Sequence, residues 1–114
     1  MESEAISALS ALAQRTRLDA FRLLVRHEPA GLPAGEIAAS LAVPQNTLSG
    51  HLAILAQAGL VTSERRSRVI VYRANLARLG AVVGFLLKDC CGGRTEICAP
   101  LVAELSASLA CETC

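Results

Sequence analysis

Apolar residues recur along the chain with a spacing that changes twice. Between Glu4 and Leu12, the residues Ala5, Ile6, Leu9 and Leu12 fall at helical intervals, which predicts a first helix. Thr16 is placed to N-cap a second, because its hydroxyl accepts an orphan backbone N–H. Leu18, Phe21, Leu24 and Val25 form the apolar stripe of that helix. The cluster Glu28-Pro29-Ala30-Gly31-Leu32-Pro33 reads as a loop. A short helix is predicted from Ala34 to Leu41, carried by Ile37, Ala38 and Leu41. Another starts at Val43-Pro44, since proline suits the first helical turn, where no N–H partner is needed. Leu48, Leu52 and Leu55 mark its buried side, and Gly59 ends it in the left-handed region.

The pattern then becomes β-like. Leu60–Glu64 and Val69–Arg73 are β-prone, with Ser67 among arginines between them, so a two-stranded hairpin with a basic tip is expected. The helical period returns from Leu76 to Lys88. There Leu76, Leu79, Val83 and Leu86 alternate spacings of three and four, like a coiled-coil seam, and Cys90 is the next position in the series. Gly92-Gly93 breaks the helix, and Pro100 opens a last amphipathic stretch through Leu101, Val102, Leu105 and Leu109. The fold class expected is mainly α with a small β-hairpin. Residues 1–89 make one domain, and 90–114 form a C-terminal cysteine-containing segment rather than a second domain.

Composition narrows the function classes. The chain has 114 residues, 53% of them hydrophobic and 18% charged, too apolar for a disordered segment. A domain of this size buries only about two-thirds of its surface, so some apolar surface is expected to be covered by a partner. Aromatic residues are 3% with no Trp, which argues against a stacking platform for single-stranded nucleic acid. No apolar run approaches the roughly 18 residues of a spanning helix. The start Met1-Glu2-Ser3-Glu4 is acidic, unlike a secretory signal. A cytoplasmic protein without membrane contact is therefore expected. In that compartment the five cysteines are reduced thiols rather than a disulfide scaffold.

The net charge of +1 hides an uneven distribution. No residue from Ile37 to Ser63 carries a formal charge, whereas every charged residue from Arg65 to Lys88 is basic. A local basic patch is what a polyanion meets. The two short helices joined by a tight turn fit a helix-turn-helix, and the hairpin after them fits a wing. On a helical wheel centred on Leu48, Leu52 and Leu55, the outward arc holds Asn46, Ser49, Gly50 and Ala53, with Gln45 at the helix start and Thr47 on the flank. Gln or Asn pairs bidentately with adenine, and Ser or Thr bonds to several bases. The helix is thus expected to read double-stranded DNA while Arg65, Arg66 and Arg68 hold phosphates, which position without specifying. His51 falls near the edge of the buried side. It reads first as a packed or backbone-bonded ring and second as a phosphate or base contact.

These residues resemble a known family. Ala11-Leu12-Ala13-Gln14-Arg15-Thr16-Arg17-Leu18, Gly35-Glu36-Ile37-Ala38, Pro44–Leu52, Leu55–Val61 and Val71-Tyr72-Arg73 together look like the ArsR/SmtB metal-responsive repressors, over nearly all of Leu9 to Leu87. The resemblance implies a winged helix-turn-helix homodimer joined through the first and fifth helices. It implies a palindromic operator released on binding an inducer, and it supports Gln45, Thr47, Ser49 and His51 as recognition-helix positions. Gly50 departs from the family, which usually has a longer polar side chain there.

Two of the family's sensor sites are missing. Leu32–Ile37 holds no thiol, and Leu76–Leu87 holds no Asp, Glu or His. Cys90-Cys91 followed by Cys98 resembles the arsenic-responsive subgroup whose site lies just after the fifth helix. Trivalent arsenic or antimony is soft and takes three thiolates, and soft ligands select soft ions. The absence of a nearby His speaks against catalytic zinc. Cys90 also reads as a small hydrophobe continuing the seam, and Cys111 and Cys114 read as a tail thiol pair. The expectation is an As(III)- or Sb(III)-responsive repressor with no organic cofactor and no catalytic residues. The other readings are the same repressor sensing methylarsenite, cadmium or zinc, or thiol oxidation, and more remotely a small thiol redox enzyme such as an arsenate reductase. For the enzyme, no thiol sits in an evident anion-binding loop.

Overall fold

A computed structural model describes residues 1–90 together with 99–101, 103–105 and 107. The chain divides into two units, Met1–Val82 and Val83–Cys114. The first unit contains helices α1 (Glu2–Leu12) and α2 (Arg15–Arg26), strand β1 (Leu32–Pro33), helices α3 (Ala34–Leu41) and α4 (Gln45–Gln57), and strands β2 (Val61–Arg66) and β3 (Val69–Ala74). It also contains the start of α5 (Leu76–Cys90). In the second unit the described residues continue α5 to Cys90 and are helical again at 99–101, 103–105 and 107. Among the described residues, no helix is long and apolar enough to cross a membrane.

The sheet has three strands rather than two, in the order β1-β3-β2, all antiparallel. The segment expected to be loop supplies β1, pairing Leu32 with Tyr72 and Pro33 with Val71. Two contacts bring it there. Gly31 has φ +77°, and a Cβ on it would lie 2.5 Å from the Tyr72 carbonyl oxygen, so only glycine allows this approach. The Arg73 guanidinium donates to both oxygens of Glu28, at 3.2 and 3.0 Å. The carboxylate raises the Arg73 pKa further above its usual value.

A second correction concerns the start of α2. Thr16 lies inside the first turn, and the cap is Gln14, extended at φ −149°, whose Oε1 accepts from the Arg17 N–H at 2.8 Å. The longer amide side chain reaches the donor from two positions further back.

The core of the first unit is aliphatic. Leu24, Ile37, Leu48, Leu52, Leu55 and Leu60 are fully buried, drawn from α2, α3, α4 and the start of the wing. In α2 the inward residues are Ala20, Phe21, Leu23 and Leu24, while Leu18 and Val25 of the expected stripe are exposed. In α1 the inward residues are Ala5, Ala8 and Ala11, while Ile6 and Leu9 point outward at 64% and 44% exposure.

Helix α4 ends as its sequence predicts. Gly59 has φ +78°, the Leu60 N–H bonds to the Leu55 carbonyl, and the Gly59 N–H bonds to the Ala56 carbonyl, both at 3.0 Å. This pair of bonds satisfies two otherwise orphan carbonyls. Asn75 then ties the end of α4 to the start of α5. Its Nδ2 donates to the Gly59 carbonyl at 2.9 Å, and its Oδ1 accepts from the Arg78 N–H at 3.2 Å.

Candidate nucleic-acid interface

Helices α3 and α4 are joined by the three residues Ala42, Val43 and Pro44. Ala42 adopts the left-handed region at φ 57°, and its N–H reaches the Ala39 carbonyl. Pro44 precedes α4 in an extended conformation, which sets the abrupt change of direction. α4 is thereby held by Leu48, Leu52 and Leu55, all fully buried, against α2 and α3. Its opposite face is open. Gln45, Asn46, Thr47, Ser49, Gly50 and Ala53 are all exposed.

The polar groups on that face differ in how far they are already engaged. Asn46 Oδ1 accepts from the Thr47 N–H at 3.0 Å, and Ser49 Oγ donates to the Gln45 carbonyl at 3.0 Å. These bonds leave the Asn46 amide nitrogen as a donor and the Ser49 hydroxyl as an acceptor. Beside Gly50, a Cβ would meet nothing within 4 Å.

The wing is a tight hairpin. Arg66 pairs with Val69, so Ser67 and Arg68 form a two-residue turn, with Ser67 at φ 62°. Positive φ at the first central position is the pattern that matches the strand twist of a hairpin. All three wing arginines are exposed, but they are not equivalent. Arg65 donates to the Ser67 carbonyl at 3.4 Å, and Arg66 is paired with Glu64 at 3.1 Å. Arg68 has no ion pair or hydrogen bond among the described residues. It lines a groove of about 470 Å³ together with Gln45 and Ser49 of α4, Pro33–Gly35 and Tyr72. The start of α4 and the one unpaired wing cation therefore share a concave surface.

His51 sits on the flank of α4 and is half-buried. Its partner is a side chain, not the backbone: Arg17 Nη1 lies 3.3 Å from His51 Nδ1. Arg17 Nε also donates to the Ala11 carbonyl at 2.7 Å. Arg17, Tyr72 and Pro33–Gly35 are members of this region that sequence reasoning did not single out. No periodicity marks them, because they meet α4 only through the tertiary fold.

Residues 12–64 match a family described as helix-turn-helix domain. The solved structure of an ArsR-like transcriptional regulator from Rhodococcus sp. RHA1 is 28% identical, covers 97% of this chain and 96% of that one, and superposes with a TM-score of 0.67. The fold is the winged helix-turn-helix of these transcriptional regulators, and the chain resembles the ArsR type. The transcriptional activator HlyU of Vibrio cholerae is 29% identical over 89 residues, 78% of this chain and 80% of HlyU. A crystal structure described as a possible transcriptional regulator for arsenical resistance is 28% identical, covering 86% and 95% of the two chains with a TM-score of 0.63. As in the sequence reading, the chain puts neutral hydrogen-bonding groups on α4 and cations on the wing. Of the thiols expected to hold an inducer, Cys90 is the last residue of α5, and Cys91 and Cys98 lie outside the described residues.

Proposed function

We propose that this regulator binds operator DNA as a homodimer and acts as an arsenite-responsive repressor. The observation that carries the DNA half is the groove in which Gln45 and Ser49 meet the unpaired Arg68. An acceptor-rich base edge suits the amide and hydroxyl, and a phosphate suits the guanidinium. Two such helices about one DNA turn, ~34 Å, apart would read a palindrome. Dimerisation through α1 and α5 is supported by the outward Ile6 and Leu9 of α1, which stay exposed among the described residues. Replacing Arg68 with Ala is expected to weaken binding to all duplexes alike and to lower the salt slope by about one unit. A changed base preference without that slope change would assign Arg68 to readout instead.

The inducer half rests on the donor set Cys90, Cys91 and Cys98: three thiols and no nearby His. As(III) or Sb(III), when bound, supplies three bonds to thiolate sulfur, a match of soft ion to soft ligands. DNA is released only if the loaded conformation binds it less well, and such couplings are typically ~1–3 kcal/mol. Arsenite is expected to release a fluorescent operator duplex from the wild type, but not from Cys91→Ser or Cys98→Ser, while all three bind DNA equally without arsenite. Release that survives in both variants would remove these thiols from the site. Release by methylarsenite, Cd(II), Zn(II) or an oxidant in place of arsenite would assign a different signal to the same regulator.

A further inference from the structure

We propose that Arg17 fixes the tautomer of His51, so that α4 presents an Nε2–H donor to a DNA phosphate. The inference rests on the DNA-binding reading above and adds a contact on the flank of the recognition helix. An arginine side chain carries only donors. Its Nη1 at 3.3 Å from His51 Nδ1 is therefore attractive only when Nδ1 bears the lone pair. In the neutral ring the proton then sits on Nε2. Arg17 is itself anchored, since its Nε donates to the Ala11 carbonyl at 2.7 Å and its own N–H is held by Gln14. The guanidinium is thus a fixed reference running from the end of α1 to the side of α4.

The position of His51 decides what the donor can reach. At about 100° per residue, His51 lies about 60° from Leu48, on the side away from Ser49 and Ala53. It does not share the arc that faces base edges. A side chain there meets the wall of a groove, where the acceptors are phosphate oxygens. Phosphate oxygens only accept, so the other tautomer would turn a lone pair toward them and lose the bond. Arg17 is a positioning residue in this scheme, and His51 makes the contact.

Two substitutions separate the ring's two edges. Gln at 51 places an amide N–H near the former Nε2 and gives up the bond to Arg17. Asn at 51 keeps a carbonyl near the former Nδ1 and is too short to reach the phosphate. With a random-sequence duplex at low salt, His51→Asn is expected to lose about tenfold in affinity, the scale of one hydrogen bond to a charged group, and His51→Gln to lose much less. The loss should be the same on an operator selected from a random pool, and the salt slope should stay unchanged because no charge is removed. Ring-nitrogen NMR of the full chain, with His27→Gln to isolate the signal, is expected to show the Nε2–H form of His51 and a mixture of tautomers in Arg17→Met. An Nδ1–H ring in the wild type, His51→Gln as weak as His51→Asn, or a loss confined to one base pair would overturn the proposal. A wild type that binds no duplex would instead overturn the DNA reading and the phosphate contact with it. The tautomer measurement would still report on Arg17 and His51 separately.

Discussion

Helices α1 and α4 are both amphipathic, and they are built inside out relative to each other. α4 buries three leucines at positions 48, 52 and 55 and leaves mostly neutral polar and small residues outside, with Ile54 the one large apolar side chain exposed, near its C-terminal end. α1 buries three alanines at positions 5, 8 and 11 and leaves Ile6 and Leu9 outside. The inward alanines allow close approach of backbones, and the first unit gains little apolar burial from them. Among the described residues Ile6 and Leu9 stay open, an apolar face of the kind that another surface covers. A helix with its bulk inside can present chemistry, while one with its bulk outside presents an adhesive face.

The comparison breaks most sharply at its centre. Leu52→Ala should cost about 2–5 kcal/mol by removing a fully buried side chain from a core that relaxes only partly, measured by denaturant unfolding. A loss below that range would mean α4 is not anchored by its leucines. Ala8→Leu should cost about 1–3 kcal/mol, because it forces three more heavy atoms into a buried alanine face. A neutral result there would show that α1 rests loosely on the rest of the unit. Gly50→Ala should gain about 1 kcal/mol, since the site is helical and a Cβ meets nothing within 4 Å. The DNA salt slope should not move. The smallest effect on the fold of the protomer belongs to Ile6→Ser combined with Leu9→Ser, within about 0.5 kcal/mol for exposed positions. That pair should nonetheless sediment as a folded monomer. A persistent dimer would show that a second copy does not use this face.

Much of the first unit was legible in the sequence. The α4 stripe was clear because leucines three and four apart have one buried solution when the opposite arc is polar. Gly59 was clear because little else fits a left-handed helix end. The burial of α1 was less so: Ala5, Ile6, Leu9 and Leu12 do recur helically, but spacing alone does not say whether a stripe faces its own core or another chain. β1 was hidden because a Leu-Pro dipeptide has no period. It is a strand only because Gly31 and the Glu28–Arg73 pair press it against β3. Gln14 was missed as a cap because capping statistics favour shorter side chains. The candidate DNA residues were legible as a helix face and a hairpin tip. That Arg68 rather than Arg66 shares a groove with Gln45 was not, since Glu64 engages Arg66 through strand geometry that no pattern of charges reveals.

The amide of Asn75 has one further consequence. One end of it grips the carbonyl that closes the reading helix, and the other grips the N–H that opens the next helix. Rotation of that opening turn therefore strains or severs a bond at the foot of the reading helix. A single short side chain thus pins the end of one rod to the beginning of the other.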